Sequence, residues 1–201
     1  KGSSSELSFY FLRSLKPKSM LNRRHIRIKV LQILYAFFHS DSDDLTKSER
    51  ELNNSFDKAH SLYIHLLLLL VAIQKQAADK IEKGRNKLLP SQEDLNPVTK
   101  FTENKTLTLL AKNLSLTERF ENDEIYWDEN PELVGKIFRQ IQESDMYLEY
   151  LNKPEATFLE DRKFVSALFM EFIAANEDVH SFLEEKSIYW LDDFEVSNLA
   201  V

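Results

Sequence analysis

The chain has 201 residues, 43% of them hydrophobic and 29% charged, so it can bury the core of one large domain or two small ones. Three glycines and five prolines leave few turn residues for hairpins, which predicts an all-α, multi-helix bundle. The absence of cysteine excludes disulfides, thiolate metal sites and cysteine nucleophiles, and fits a reducing cytoplasm.

Charge is distributed unevenly within the net value of −7. Residues 1–35 hold eight Lys/Arg and one acid, or +7, whereas the rest holds 18 bases and 32 acids, or −14. A short basic pole on an acidic body suits a protein that touches nucleic acid at one patch. The acidic part is equally consistent with a soluble surface.

The first 19 residues differ in composition from the rest of the chain, and we expect them to be a leader or an appended extension outside the fold. Their apolar stretch, 7–12, is broken by a serine and is too short to span a membrane.

Residues 20–38 predict the first helix. At 100° per residue, apolar side chains cover a wide face, so this helix should be mostly buried. The face comprises Ile26, Val30, Ile33 and Phe37, flanked by Leu31, Leu34, Tyr35 and Phe38.

Three arginines precede the apolar part of this helix. The helical wheel places Arg23, Arg24 and Arg27 on the core-facing side, projecting past the end of the core. Arginine suits phosphate because its planar fork donates two parallel hydrogen bonds. Cations at a helix N-terminus are unfavourable unless an anion compensates, which favours an anion-binding surface. The alternative is that they are ordinary snorkelling arginines paired with acids elsewhere.

The order Arg23-Arg24-x-x-Arg27, followed after four residues by Gln32-Ile33-Leu34-Tyr35, resembles the first helix of the bacterial transcription antitermination factor NusB family. Met20 would be a natural start for that family. The resemblance implies RNA contacts by the arginines, core positions for Leu34 and Tyr35, and a different polar network at Ile28, where the family usually has an acid. The full set of expected RNA-binding residues is Arg23, Arg24, Arg27, Lys29 and Gln32.

The same resemblance implies the partners. They would be boxA-type single-stranded RNA and NusE, a small-subunit ribosomal protein, acting in the bacterial cytoplasm without membrane, cofactor or metal. Homodimerisation is left open.

The segment 39–44 predicts a polar turn, with Asp44 or Ser48 capping the next helix. Its aspartates resemble the start of a calcium loop but lack the glycine and the closing acid, so we expect no calcium site. Residues 47–89 predict one long helix or two in succession, most buried at 62–73. His60 and His65 lie within it without a ligand partner at i+4, which favours core or rim histidines.

Two prolines make residues 89–97 a linker, and further helices are predicted at 98–121, 131–152 and 155–187. Asp161, Phe164 and Leu168 resemble the third helix of NusB. The implied organisation is a leader (1–19), a NusB-like first helix (20–40), a helical insertion (41–155), and a NusB-like helix with a truncated end (156–201), all packing as one helical domain.

No glycine-rich phosphate loop, Gly-x-Ser-x-Gly or His-Glu-x-x-His motif is present, so we expect no enzyme. Three interpretations remain: a NusB-like RNA-binding factor, a helical protein–protein interaction module without RNA binding, and an enzyme of unrecognised class, ranked last.

Overall fold

The computed structural model describes residues 23–40, 44–116, 127–154 and 157–201, which form an all-α, multi-helix bundle, as predicted. The predicted leader lies outside the described residues. No β-strand occurs in the described ranges. The helices are α1 Arg23–His39, α2 Leu45–Arg85, α3 Gln92–Leu95, α4 Lys105–Ala111, a 3-10 turn Trp127–Glu129, α5 Pro131–Gln142, α6 Asp145–Asn152, α7 Phe158–Phe169, a π-helical turn Met170–Ala174, α8 Glu177–Lys186 and α9 Phe194–Ala200.

Helix α2 is the central element and confirms the prediction of one long helix. The Asp44 side chain caps its N-terminus by accepting a hydrogen bond from the Lys47 backbone N–H at 3.1 Å. Because its middle is apolar around the whole circumference, neighbours must cover every side. Helices α1, α4, α5 and α9 all pack against it.

The main core joins the predicted insertion to the predicted C-terminal part. Side chains from α2, α5, α7 and α8 belong to one buried cluster, whose described members range from Leu62 to Phe194. Its fully buried members include Leu62, Leu66, Leu69, Ile73, Ile137, Ile141, Ile173, Val179 and Leu183.

Within the described part of the chain, α2 is the one helix long and apolar enough to cross a membrane. The protein itself buries 56% of the most apolar window of that helix. In this fold, its apolar surface is therefore used for helix packing.

Within the described residues 98–116, the helix predicted at 98–121 is only partly correct, because helix occurs at 105–111 and 114–116. Residues 99–104 form a turn, in which the Thr102 hydroxyl donates to the Thr99 carbonyl at 2.7 Å. Asn104 then starts α4, accepting hydrogen bonds from the backbone of Thr106 and Leu107. This cap sets the start of the helix at Lys105 rather than at 98.

The two later predicted helices are each interrupted. Ser144 caps α6 and divides the 131–152 segment, because its hydroxyl accepts from the Tyr147 N–H at 3.2 Å. The 155–187 segment is divided by the π-helical turn and by Asn176, which caps α8. Polar residues that the prediction placed inside helices are instead N-caps, the position that Ser and Asn favour.

Asp161 lies in a buried polar network that joins α4, α6 and α7. Its carboxylate accepts from the Tyr150 hydroxyl at 2.8 Å and from the Lys105 backbone N–H at 3.0 Å. The Asn104 amide donates to the Tyr150 hydroxyl at 3.0 Å. Burial raises the pKa of Tyr150 above its ordinary value, and the adjacent carboxylate adds to the rise. Asp161 thus has a structural role in this bundle.

Asp94 fastens α3 to the end of α2. It forms a capping box with Ser91, and both of its carboxylate oxygens lie 2.9 Å from the Lys87 ammonium. The backbone hydrogen bond from Ser91, together with Lys87, lowers the pKa of Asp94 to about 2. A Cβ at Gly84 would lie 2.6 Å from Asp94 Oδ1, so glycine allows this close approach.

We expect Leu66→Ala to destabilise the fold by about 2–5 kcal/mol, because Leu66 is fully buried in the main core. The matched control is Leu109→Ala on α4, whose side chain is exposed, with an expected change within about 0.5 kcal/mol. Urea unfolding measures both. Equal effects at the two positions would contradict the placement of the core.

We expect Gly84→Ala to displace the Asp94 carboxylate and raise its pKa from about 2 towards its ordinary value. In the native protein, the ionised Asp94 carboxylate stabilises the fold at any pH above its unfolded-state pKa. This stabilisation is lost as the pH falls through the folded-state pKa of about 2. The control is Gly135→Ala, where the new Cβ would lie 3.6 Å from Gln76 Nε2 and only helix propensity changes, by roughly 1 kcal/mol in favour of alanine. A carboxyl NMR titration of Asp94 tests this, and an unchanged pKa in Gly84→Ala would refute it.

Candidate nucleic-acid interface

Helix α1 carries the predicted RNA-binding residues, and its burial differs from the prediction. It packs against α2, yet Lys29 is its only fully buried side chain. Leu34 and Tyr35, expected in the core, are exposed. The prediction of a mostly buried helix is therefore wrong, because only one edge of the wide apolar face, including Ile33 and Phe37, packs inward.

Arg23, Arg24 and Arg27 are all exposed in the first two turns of α1. With the packed face centred near Ile33, Arg24 lies roughly opposite to it on the wheel and Arg27 about 120° away. The prediction that the arginines lie on the core-facing side is corrected: they point to solvent. Within the described residues, neither Arg23 nor Arg27 forms an ion pair.

An apolar stripe runs along the same open face of α1, C-terminal to the arginines. Leu31, Tyr35 and Phe38 are 68%, 64% and 76% exposed. The His39 ring stacks on Tyr35 with centroids 4.0 Å apart. The face therefore combines guanidinium groups with aromatic rings, the two side-chain types that contact phosphates and stack on unpaired bases.

Lys29 forms a buried ion pair that sequence reasoning missed. Its ammonium donates to Asp193 Oδ2 at 2.8 Å, across 164 residues of sequence, and both side chains are less than a tenth exposed. Burial raises the pKa of Asp193 above its usual range, although Lys29 opposes the rise. The structure thus uses Lys29, one of the expected RNA contacts, to attach α1 to the start of α9.

Gln32, the other non-arginine member of the expected set, also contacts this region. Its side-chain amide donates to Asp192 Oδ2 at 2.9 Å. Gln32 lies one turn after Lys29 on α1, and Asp192 directly precedes Asp193, the partner of Lys29. The structure therefore divides the expected set into three exposed arginines and two residues that contact Asp192 and Asp193.

The segment from Tyr189 to Asp193, which we call the 189–193 turn, holds α1 and α2 together. Tyr189 donates to Glu51, and Trp190 Nε1 donates to the Lys58 carbonyl at 2.8 Å. Asp192 and Asp193 receive the hydrogen bonds from α1 described above. A signal for Lys29 was available on the helical wheel, where it falls on the same side as Ile33, but no local pattern identifies its distant partner.

The histidines of α2 behave as core or rim residues. His65 is buried, lies 3.3 Å from the Ser61 hydroxyl, and its backbone carbonyl accepts from Trp127 Nε1 at 3.0 Å. No group of three potential metal ligands occurs among the residues that the structure describes.

No family model, curated protein or solved structure matches this chain with significance.

We expect Lys29→Met to destabilise the protein by about 3–5 kcal/mol at neutral pH, because it leaves the Asp193 charge buried without its partner. The folded state already raises the pKa of Asp193, so protonation of this carboxyl stabilises the fold. This stabilisation is fully present below the unfolded-state pKa and is lost as the pH rises through the folded-state pKa. The defect should therefore shrink in acid. Urea unfolding between about pH 4 and pH 8 measures this.

The matched control is the double variant Lys29→Met with Asp193→Leu, which removes both charges. It should lie close to the native stability and lose the acid dependence, because an apolar pair can replace a buried ion pair at little cost. A double variant as unstable as Lys29→Met alone would show that packing, and not charge, dominates at this contact.

Proposed function

We propose that this chain is a NusB-like transcription antitermination factor that binds boxA-type single-stranded RNA through α1, with NusE as its protein partner. It would act in the bacterial cytoplasm, without cofactor and without catalysis. The observation that carries the proposal is the exposure of Arg23, Arg24 and Arg27 together on the open face of one helix.

The geometry of α1 supports a role in binding an extended strand. From Arg24 to Tyr35 the helix rises about 16 Å at 1.5 Å per residue, so a strand lying along it could meet guanidinium groups at one end and aromatic rings at the other. Arginines would contact phosphates, which fix the position of the strand, while Tyr35 and Phe38 would offer surfaces for base stacking.

The charge of the remaining chain disfavours RNA binding over most of its surface. The rest of the protein after residue 35 carries −14, which repels RNA from most of the surface. The Lys29–Asp193 ion pair fixes the position of α1 on this body, so the arginines extend from an anchored helix.

The second candidate function is a helical protein–protein interaction module. The exposed stripe of Leu31, Tyr35 and Phe38 favours it, because large apolar side chains concentrated on one surface mark interaction sites. In that case the arginines would lie at the polar rim of a protein interface.

We expect the chain to bind a boxA-type RNA more tightly than a scrambled RNA, with affinity that falls as salt rises. Replacing Arg23, Arg24 and Arg27 by alanine should weaken binding and lower the slope of log K against log salt by about 2, or roughly 0.7 for each phosphate that is no longer neutralised. Fluorescence anisotropy at several salt concentrations measures both quantities.

The matched control replaces three exposed cations elsewhere, Arg50, Lys112 and Arg162, by alanine. It changes the net charge equally and should leave RNA affinity nearly unchanged. Circular dichroism checks that both triple variants remain folded. An equal loss of RNA affinity in both triple variants would show that net charge, and not the position of the arginines, determines binding. If boxA-type RNA does not bind at low salt, the proposal is refuted.

A variant with Leu31→Ser and Phe38→Ser tests the second candidate. If α1 is a protein-docking helix, this change abolishes partner binding with little salt dependence, whereas the triple arginine variant retains it.

A further inference from the structure

A second basic surface lies well away from α1, in a cleft between the C-terminal part of α2 and helix α5. Its volume is about 690 Å³. Phe138 lies at its base and belongs to the main core, so the cleft is open to solvent above a packed floor. None of the residues identified from the sequence as RNA contacts lines it.

Cations line both walls of this cleft. Lys80, Lys83 and Lys87 follow one another at i, i+3 and i+7, which places them on one side of α2 and of the residues just beyond it. Arg139 faces them from α5. Lys80 is held at the cleft by a 2.6 Å hydrogen bond to the Gln142 side chain.

The acids of the cleft compensate only part of this charge. Asp94 is neutralised by Lys87, whose ammonium contacts both of its oxygens. Among the described residues, Glu132 is the one other acid lining the cleft. Lys80, Lys83 and Arg139 therefore leave a local excess of positive charge in a protein whose net charge is −7. Cations gather counter-charge most effectively in a concave site.

Two of the chain's three glycines, Gly84 and Gly135, line the same cleft from opposite helices. Neither contributes a side chain to the walls, and Gly84 is buried beneath Asp94. Glycine is costly inside a helix, and at Gly84 it permits the close approach of Asp94, which fixes the wall that carries Lys87.

We propose that this cleft binds phosphate groups of a polyanion. Along the axis of α2, Lys80 and Lys83 are offset by roughly 4.5 Å, so both ammonium groups can contact phosphates of one bound chain molecule. Lysine binds phosphate as a point charge, and Arg139 adds a planar fork from the other wall. The polyanion is a nucleic-acid strand or an inorganic polyphosphate. Only its identification as a nucleic-acid strand rests on the proposed function.

The test uses two probes on the full chain at low salt: inorganic tripolyphosphate by calorimetry, and a fluorescent 12-nucleotide RNA by anisotropy. Lys83→Gln with Arg139→Gln should weaken binding of the recognised probe by roughly tenfold. The matched control is Arg85→Gln with Arg162→Gln, which removes two exposed cations outside the cleft, the first about 200° around α2 from Lys83. The control should bind as the native protein does.

A third variant, Glu132→Gln, changes binding in the opposite direction. Removing this uncompensated acid of the cleft should tighten binding several-fold, an outcome that misfolding cannot produce. If RNA binding is weakened by the cleft variant and tightened by Glu132→Gln, the ligand is a nucleic-acid strand. If only tripolyphosphate binds, the ligand is a free polyphosphate. No binding of either probe, or equal binding by the cleft variant and its control, overturns the proposal.

The outcome separates this inference from the proposed function. Alanine at Arg23, Arg24 and Arg27 should leave tripolyphosphate binding unchanged. If that variant also keeps its RNA affinity while the cleft variant loses it, the role of α1 fails and the cleft stands.

Discussion

The architecture depends on covering a helix that is apolar on every side. In α2, the residues from Leu62 to Ile73 present no polar face, so the chain must supply neighbours all round. Burying such a helix releases water from its whole circumference, and the hydrophobic effect is the dominant favourable contribution to folding. The shorter helices are arranged as a cover for α2. The two basic surfaces lie at different ends of it, one on α1 and one at its charged C-terminal turns.

Helix α1 buries only Lys29 among its side chains, and polar contacts help to attach it. Trp190 and Phe194 place the 189–193 turn against the main core, and Asp193 then meets Lys29. An ion pair adds little net stability when compared with a well-packed apolar pair, yet it defines one geometry because a displaced helix would leave two buried charges. The pair therefore sets the position of the arginines more than it stabilises the bundle.

Regular patterns made the fold class and a long helix at α2 predictable, although the same helical period overestimated the burial of α1. The divided helices were not predicted, since Asn104, Ser144 and Asn176 are compatible with a helix interior until tertiary contacts select the cap. The candidate interface was predicted in part. The arginine cluster itself is visible in the local sequence, but the helical wheel placed it on the wrong side of α1. The burial of Lys29 depends on Asp193, 164 residues away, which no periodicity reveals.

That separation has a consequence for how the protein is made. During synthesis, α1 emerges early, but the aspartate that fixes it is added 164 residues later. At about 5–20 residues per second, the interval is roughly ten to thirty seconds. Throughout it, the arginine-bearing helix is tethered to the nascent chain without its anchor, while Leu31, Tyr35 and Phe38 lie within reach of chaperones. The arginine-bearing helix is thus translated well before the residue that fixes its position.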